Sequence, residues 1–156
     1  MTMWVPSNIR EWLDERIGFC ERMLKLQETT GTARGRTEML FALSDYKYCN
    51  KLYQKIIDGK TSGKQKSNFS IVAQKLLHSQ LYEIQKQEFV CVTVGGVLFP
   101  TKEPAKLTQE ILDNNRLLKD AFKKIYEDVK NICGDHFEPM VNSKNYMSGD
   151  LWPFFA

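Results

Sequence analysis

The feature that most constrains the fold of this chain is a row of residues between positions 111 and 132 that are apolar except for Asn115. Its members recur at alternating steps of four and three, which places them on one face of an α-helix. Such a row packs against partner helices in bundle or coiled-coil geometry. The sequence therefore predicts a long amphipathic helix over about residues 108–133, closed by Gly134. The row consists of Ile111, Asn115, Leu118, Phe122, Ile125, Val129 and Ile132.

Three further segments show helical periodicity. The first begins at Asn8, which forms a capping box with Glu11 three residues later, and fades near Thr29. A second runs from Thr37 to Asp58, with Gly59 as its C-terminal stop. A third covers roughly residues 69–87. The loop over residues 59–68 contains no apolar residue, so we expect it to be exposed and mobile.

Residues 89–99 break the helical pattern. Phe89–Val94 is rich in β-branched residues, Gly95-Gly96 can adopt positive φ, and another apolar run follows. This pattern predicts a β-hairpin with a two-residue turn. The predicted fold is mainly α (α+β): a four-helix bundle-like single domain over residues 1–156, with one β-hairpin between helices 3 and 4. Residues 134–156 are predicted to form an irregular C-terminal tail.

The hairpin carries a family resemblance. Val92–Thr101 resembles the opening hairpin of BTB-type tetramerisation domains, although the long helix that follows departs from that family's short helices and strands. Helix, hairpin and helix over residues 69–132 are similar in outline to the prefoldin-like arrangement. We carry no functional residue over from either family.

Composition and chain pattern indicate an intracellular protein, either cytoplasmic or nuclear. The longest apolar runs are far shorter than the ~18 residues that cross a bilayer, and Met1–Asn8 lacks the regions of a secretory signal. We therefore expect no membrane association. Free thiols among apolar neighbours behave as small hydrophobes, and we expect all four to be reduced. These are Cys20, Cys49, Cys91 and Cys133.

Two motifs fail as cofactor or metal sites. Gly59-Lys60-Thr61 looks like the end of a phosphate-binding loop, but Gln54 stands where that motif needs a glycine. Metal ligands are available near the end of the fourth helix, yet no second ligand pair accompanies them. We therefore expect no cofactor and no metal. The ligands considered are Cys133, Asp135, His136 and Glu138.

The sequence gives equally little support for a catalytic pair of residues. Two thiol–imidazole pairs are conceivable, Cys133 with His136 and Cys91 with His136, and no local signature surrounds either cysteine. Carboxylates on one helix face, such as Glu11 and Glu15, are typical of a solvated surface. We expect no catalytic residue and no enzymatic activity.

Positive charge is concentrated in residues 31–67, which carry eight basic and three acidic side chains. Such clustering attracts nucleic-acid phosphates through counterion release, although ordinary solvated lysines on an amphipathic helix explain the same residues. The order of helix, basic loop, helix and hairpin resembles a winged helix-turn-helix in outline, without a marked recognition helix. Nucleic-acid contact is therefore the alternative function. Its candidate residues are Arg34, Arg36, Lys47, Lys51, Lys55, Lys60, Lys64 and Lys66.

Protein association draws on the helical row and on the C-terminal segment. The row must be buried, either against another helix of this chain or against a second copy in a homodimer. Leu151–Phe155 presents three aromatic rings, which dominate interface energetics, although the same segment can also plug its own core. We expect a small regulatory or adaptor protein that binds another protein. The predicted interface residues are Asn115, Leu118, Phe122, Trp152, Phe154 and Phe155.

Overall fold

A computed structural model describes residues 4–94 and 104–138 of the chain, with side chains at 4–28, 31–87 and 109–138. These residues form four α-helices and no strand, which confirms the mainly α prediction. The last helix is followed by a 3-10 turn at Gly134–His136. The helices are α1 (Ile9–Thr30), α2 (Ala33–Ile57), α3 (Gly63–Val94) and α4 (Pro104–Cys133).

The helices pack in a bundle-like arrangement. Helix α1 lies along α2, α2 along α3 and α3 along α4, while α4 returns to α1 through a much smaller contact. Cross-helix pairs such as Tyr53 with Phe69 and Ser67 with His136 show that sequential helices run antiparallel. No helix in the described ranges has a window long and apolar enough to cross a membrane.

The helix ends follow the local sequence signals. The Asn8 side chain accepts a hydrogen bond from the Glu11 amide at 2.8 Å, which confirms the predicted start of α1. Gly59 adopts φ +68°, where a side chain would be strained. The amides of Gly59 and Lys60 donate to the carbonyls of Ile56 and Lys55, so α2 ends in a Schellman motif.

Helix α3 begins earlier than its apolar pattern predicts. The Ser62 hydroxyl accepts from the Gln65 amide, and the Gln65 side chain accepts from the Ser62 amide, both at 3.3 Å. This reciprocal pair is a capping box. The prediction of a loop through residue 68 is therefore wrong, because Ser62 and Gln65 start the helix before any apolar residue occurs.

The predicted β-hairpin is also wrong over its first strand, because Phe89–Val94 continues α3 without a break. β-Branched residues cost only about 0.5 kcal/mol each in a helix, whereas a new helix must form a costly first turn. Extending an existing helix therefore costs little free energy. The resemblance to a tetramerisation-domain hairpin therefore does not hold for the first strand. The rest of that hairpin, residues 95–99, lies outside the described residues.

The connection between α1 and α2 is two residues long. The Gly31 amide donates to the Gln27 carbonyl, and the Thr32 hydroxyl accepts from the Gly35 amide at 3.1 Å. These bonds cap the end of α1 and the start of α2 within one tight turn. The pair α1–α2 is therefore one closely joined helical hairpin.

Candidate binding groove

The bundle has two halves that differ in packing. The closed half contains the start of α1, the end of α2, the start of α3 and the end of α4. Its centre is fully buried, with Trp12 edge-on to Tyr46 at 5.8 Å and to Phe122 at 6.2 Å between ring centroids. Leu77 and Val129 are likewise inaccessible to solvent. This half fixes the four helices relative to one another.

In the open half, toward the α1–α2 connection, apolar side chains are less well covered. Phe19, Met39 and Leu118 are only partly buried there, and Phe41 is 68% exposed. The small contact between α1 and α4 leaves a groove of about 820 Å³ bordered by α1, α3 and α4. Ligand pockets in proteins usually measure about 300–1,000 Å³. The groove is therefore the candidate functional site.

The α4 side of the groove consists of three predicted interface residues. Asn115, Leu118 and Phe122 all line it, because they share the face of α4 that turns toward the bundle interior. Most of the helical row is covered by the chain's own helices, so its predicted partner is intramolecular. Trp152, Phe154 and Phe155, the other predicted interface residues, lie outside the described residues.

The α1 side centres on Arg16, which the sequence prediction did not select. Its guanidinium carbon lies 4.5 Å from the ring centroid of Phe19 and 5.5 Å from that of Tyr46. Burial raises the pKa of Tyr46 to about 12, and the positive charge of Arg16 opposes that shift. A signal was available, because Arg16 interrupts the apolar stripe between Trp12 and Phe19 at helical spacing.

Two buried polar atoms at this groove are left without complements. Arg16 Nε and Asn115 Oδ1 have no hydrogen-bond partner among the residues that the structure describes. Asn115 is only 1% exposed, and its Nδ2 group donates to Gln87 Oε1 at 3.1 Å. An unsatisfied buried donor or acceptor costs roughly 1–3 kcal/mol. Both atoms are themselves buried, although the residues that carry them line the groove.

The rim of the groove carries balanced charge. Glu15 and Arg16 line the opening from α1, and Glu83 and Lys86 line it from α3. Glu15 also forms an exposed ion pair with Arg22 at 3.1 Å. The predicted solvated surface at Glu11 and Glu15 is thus partly the edge of a groove. Balanced charge does not favour a strongly charged ligand.

The basic residues do not collect in one patch. Lys47 and Lys51 are exposed on one face of α2, with Lys55 one turn further, and Lys47 lies 3.9 Å from Glu21. Arg34 pairs with Glu38 at 3.2 Å near the start of α2. Arg36 lies at that same end, whereas the three remaining residues lie at the opposite end of the bundle. These are Lys60, Lys64 and Lys66.

The thiols with described side chains lie inside the bundle. Burial raises the pKa of Cys20, Cys49 and Cys133, the last to about 11. A raised pKa suppresses the thiolate, which is the reactive form. The Cys133 thiol also donates to the Lys66 carbonyl at 3.4 Å. The side chain of Cys91 lies outside the described residues.

The residues considered as metal ligands or catalytic groups lie in a segment whose hydrogen bonds hold the closed half together. The Ser67 hydroxyl donates to the His136 carbonyl at 3.1 Å, and the Glu138 amide donates to the Ser70 hydroxyl at the same distance. These bonds fasten the chain after α4 to the start of α3. Within residues 4–94 and 104–138, no group of three or more His, Cys, Asp or Glu side chains is arranged to hold a metal ion.

Comparison with protein-family models, with curated proteins and with solved structures finds no match for this chain.

Proposed function

We propose that this chain is a small regulatory or adaptor protein that binds another protein through the groove between α1, α3 and α4. The observation that carries the proposal is a contrast inside one bundle: the centre of the closed half is fully buried around Trp12, while the open half has a groove lined by the partly buried Phe19 and Leu118. Aromatic residues and arginine, which border this groove, are enriched at binding hot spots.

The proposed contact surface combines aromatic anchors with a charged rim. Phe19 and Leu118 provide apolar area from opposite sides, and Glu83 and Lys86 border them. A buried centre surrounded by a polar rim is the usual anatomy of a protein interface. Catalysis has no comparable support, because the thiols with described side chains have raised pKa values and lie in the core.

Adjacent leucines on α4 provide a matched test of this proposal. Leu118 lines the groove, whereas Leu117 is 57% exposed and does not. We expect Leu118→Glu to abolish affinity capture of a partner from an extract of the source cells, and Leu117→Glu to retain it. Circular dichroism and thermal unfolding establish that both variants stay folded. Equal capture by the two variants would contradict the proposal.

Self-association is part of the proposal and has its own measurement. A homodimer through the groove would bury Leu118 in a two-fold interface. Sedimentation analysis should then show a concentration-dependent dimer that Leu118→Glu dissociates and Leu117→Glu leaves intact. A monomer at all concentrations would limit the proposal to a different protein as partner.

Nucleic-acid binding is the second candidate, and the row of exposed Lys47, exposed Lys51 and half-buried Lys55 on α2 favours it. Phosphate contacts by such a row make affinity fall steeply with salt. We expect replacement of Lys51, Lys55, Lys60 and Lys64 by glutamine to remove any salt-dependent DNA or heparin binding. Unchanged binding in that variant would eliminate this candidate.

A further inference from the structure

We propose that residues 4–8, which precede α1, form an autoinhibitory arm: the indole of Trp4 covers one side of the groove, and an aromatic side chain of the partner takes its place. This inference rests on the proposed function and specifies what the partner must supply and displace. It starts from a matter of position. Among the described residues that line the groove, Trp4 is the one that does not belong to a helix.

The arm runs back along α1 toward the open half. Helix α1 begins at Ile9 in the closed half, and its residues that line the groove begin at Glu15. That interval measures about 9 Å along the helix axis. The step from Asn8 back to Trp4 spans up to about 13 Å of extended chain. The arm is therefore long enough to bring Trp4 level with Glu15 at the edge of the groove.

Apolar contact alone holds the arm to the described helices. Trp4 and Val5 are half-buried, Pro6 is buried, and Trp4 packs against the hydrophobic core. The residues Trp4–Ser7 form no hydrogen bond or ion pair with any part of the chain that the structure describes. Asn8 is different, because its side chain caps α1. The arm can therefore detach while the first turn of α1 keeps its cap.

The indole of Trp4 defines the chemical class of the ligand. Its position shows that an aromatic ring packs at this groove, whose apolar lining includes Phe19, Leu118 and Phe122. Tryptophan and tyrosine are also the side chains that most often carry binding energy at interfaces. A partner that supplies such a ring competes with Trp4 for one place. Its apparent affinity is then lowered in proportion to the fraction of molecules in which the arm is docked.

The test uses indole itself as the probe. Free indole is titrated into isotope-labelled wild-type protein and Trp4→Ala, and the amide signals of Phe19 and Leu118 in nuclear magnetic resonance spectra report binding at the groove. We expect Trp4→Ala to bind indole about tenfold more tightly than the wild type, because the place of the arm is empty. Equal affinities would overturn the inference, since Trp4 would then not compete for the site.

Matched variants identify where the indole binds. Val5 is the neighbouring half-buried residue of the arm and does not line the groove, so Val5→Ala should keep the wild-type affinity within about twofold. In the Trp4→Ala background, Leu118→Glu should abolish indole binding, whereas Leu117→Glu should retain it. Indole binding that survives Leu118→Glu, or an equal gain from Val5→Ala and Trp4→Ala, would contradict the assignment of Trp4 as the competing ring.

A second measurement needs no change to the arm. In wild-type protein that contains fluorinated tryptophan, the fluorine signal of Trp4 is assigned by its loss in Trp4→Phe. Addition of indole should move this signal toward the position of the free amino acid, because the arm is displaced. A signal that stays in place while the groove amides respond would mean that both rings bind together, and the arm would not be autoinhibitory.

Capture of the partner separates this inference from the proposed function. We expect Trp4→Ala to capture the partner at about tenfold lower concentration than the wild type does. If Leu118→Glu abolishes capture and Trp4→Ala weakens it, the groove binds the partner with Trp4 as part of the contact surface, and only the inference is lost. A dimer in sedimentation that Trp4→Ala dissociates would place Trp4 in the groove of a second copy, which also overturns autoinhibition.

Discussion

The closed and open halves of the bundle use the same four helices and differ in what lies between them. In the closed half, Trp12 fills the centre, and Arg10 ties α1 to α2 through hydrogen bonds to Asn50 and Gln54. In the open half, Arg16 follows Trp12 one turn later on the same stripe of α1, and its guanidinium lies over the Phe19 ring beside the groove. The difference shows that the same four helices enclose a buried aromatic centre in one half and border a groove in the other.

The largest difference between the halves should come from matched leucine truncations. Leu77 is fully buried in the closed half, so Leu77→Ala should cost about 2–5 kcal/mol of unfolding free energy. Leu118 is partly exposed in the groove, and Leu118→Ala should cost roughly 1 kcal/mol because less transfer and cavity energy is lost. Urea unfolding measures both values. Equal costs would abolish the distinction between the halves.

Alkaline pH should lower the free energy of unfolding of the bundle, because groups in its core ionise. Burial raises the pKa of Cys133 from 9.0 to about 11 and that of Tyr46 from 10.0 to about 12. The unfolded chain therefore ionises first, and stability that is complete below pH 9 is lost as pH rises toward 12. We expect a loss on the order of a few kcal/mol across this window.

The control for the alkaline prediction is Cys133→Ala, measured by urea unfolding at pH 8 and pH 10.5. The variant should be less stable at pH 8 because it leaves a cavity. Its further loss between the two pH values should be smaller than that of the wild type, since one ionising group has gone. An identical pH dependence would show that the Cys133 thiol does not titrate differently in the folded chain.

The hydrogen bonds that hold the closed half together should contribute less to the free energy of unfolding than its apolar core does. Gln74 is fully buried, and its Nε2 group donates to the Ser70 carbonyl at 2.9 Å and to the Glu138 carbonyl at 2.6 Å. Gln74→Leu should cost about 1–3 kcal/mol, because it leaves the Glu138 carbonyl without this donor. Hydrogen exchange at the Glu138 amide should accelerate, while groove amides keep their rates.

Substitution of two glycines by alanine should have the smallest effects on the free energy of unfolding, and these effects should have opposite signs. Gly59 has φ +68°, so Gly59→Ala should destabilise the chain by about 1 kcal/mol. Gly18 lies inside α1, and its added methyl would meet only the flexible end of Arg22. Gly18→Ala should stabilise the chain by about 0.5–1 kcal/mol. Thermal unfolding distinguishes them, and a shared sign would refute this account of the two sites.

The sequence predicted those parts of the fold that local signals determine. Asn8 and Gly59 marked helix ends correctly, and the alternating row on α4 identified one wall of the groove. The extension of α3 through Phe89–Val94 was missed because β propensity describes residues in isolation, whereas a helix already formed continues at small cost. The row did not show that Arg16 of α1 would line the same groove, since that placement depends on tertiary packing.

The two-residue connection at Gly31 and Thr32 has a mechanical consequence. Because it joins α1 tightly to α2, any displacement of α1 at this end would carry the start of α2 with it. Helix α1 contains 22 residues and is about 33 Å long. A pivot of about 5° about the end of α1 held in the closed half would displace its other end by about 3 Å. Such a pivot would change the width of the groove with every helix intact.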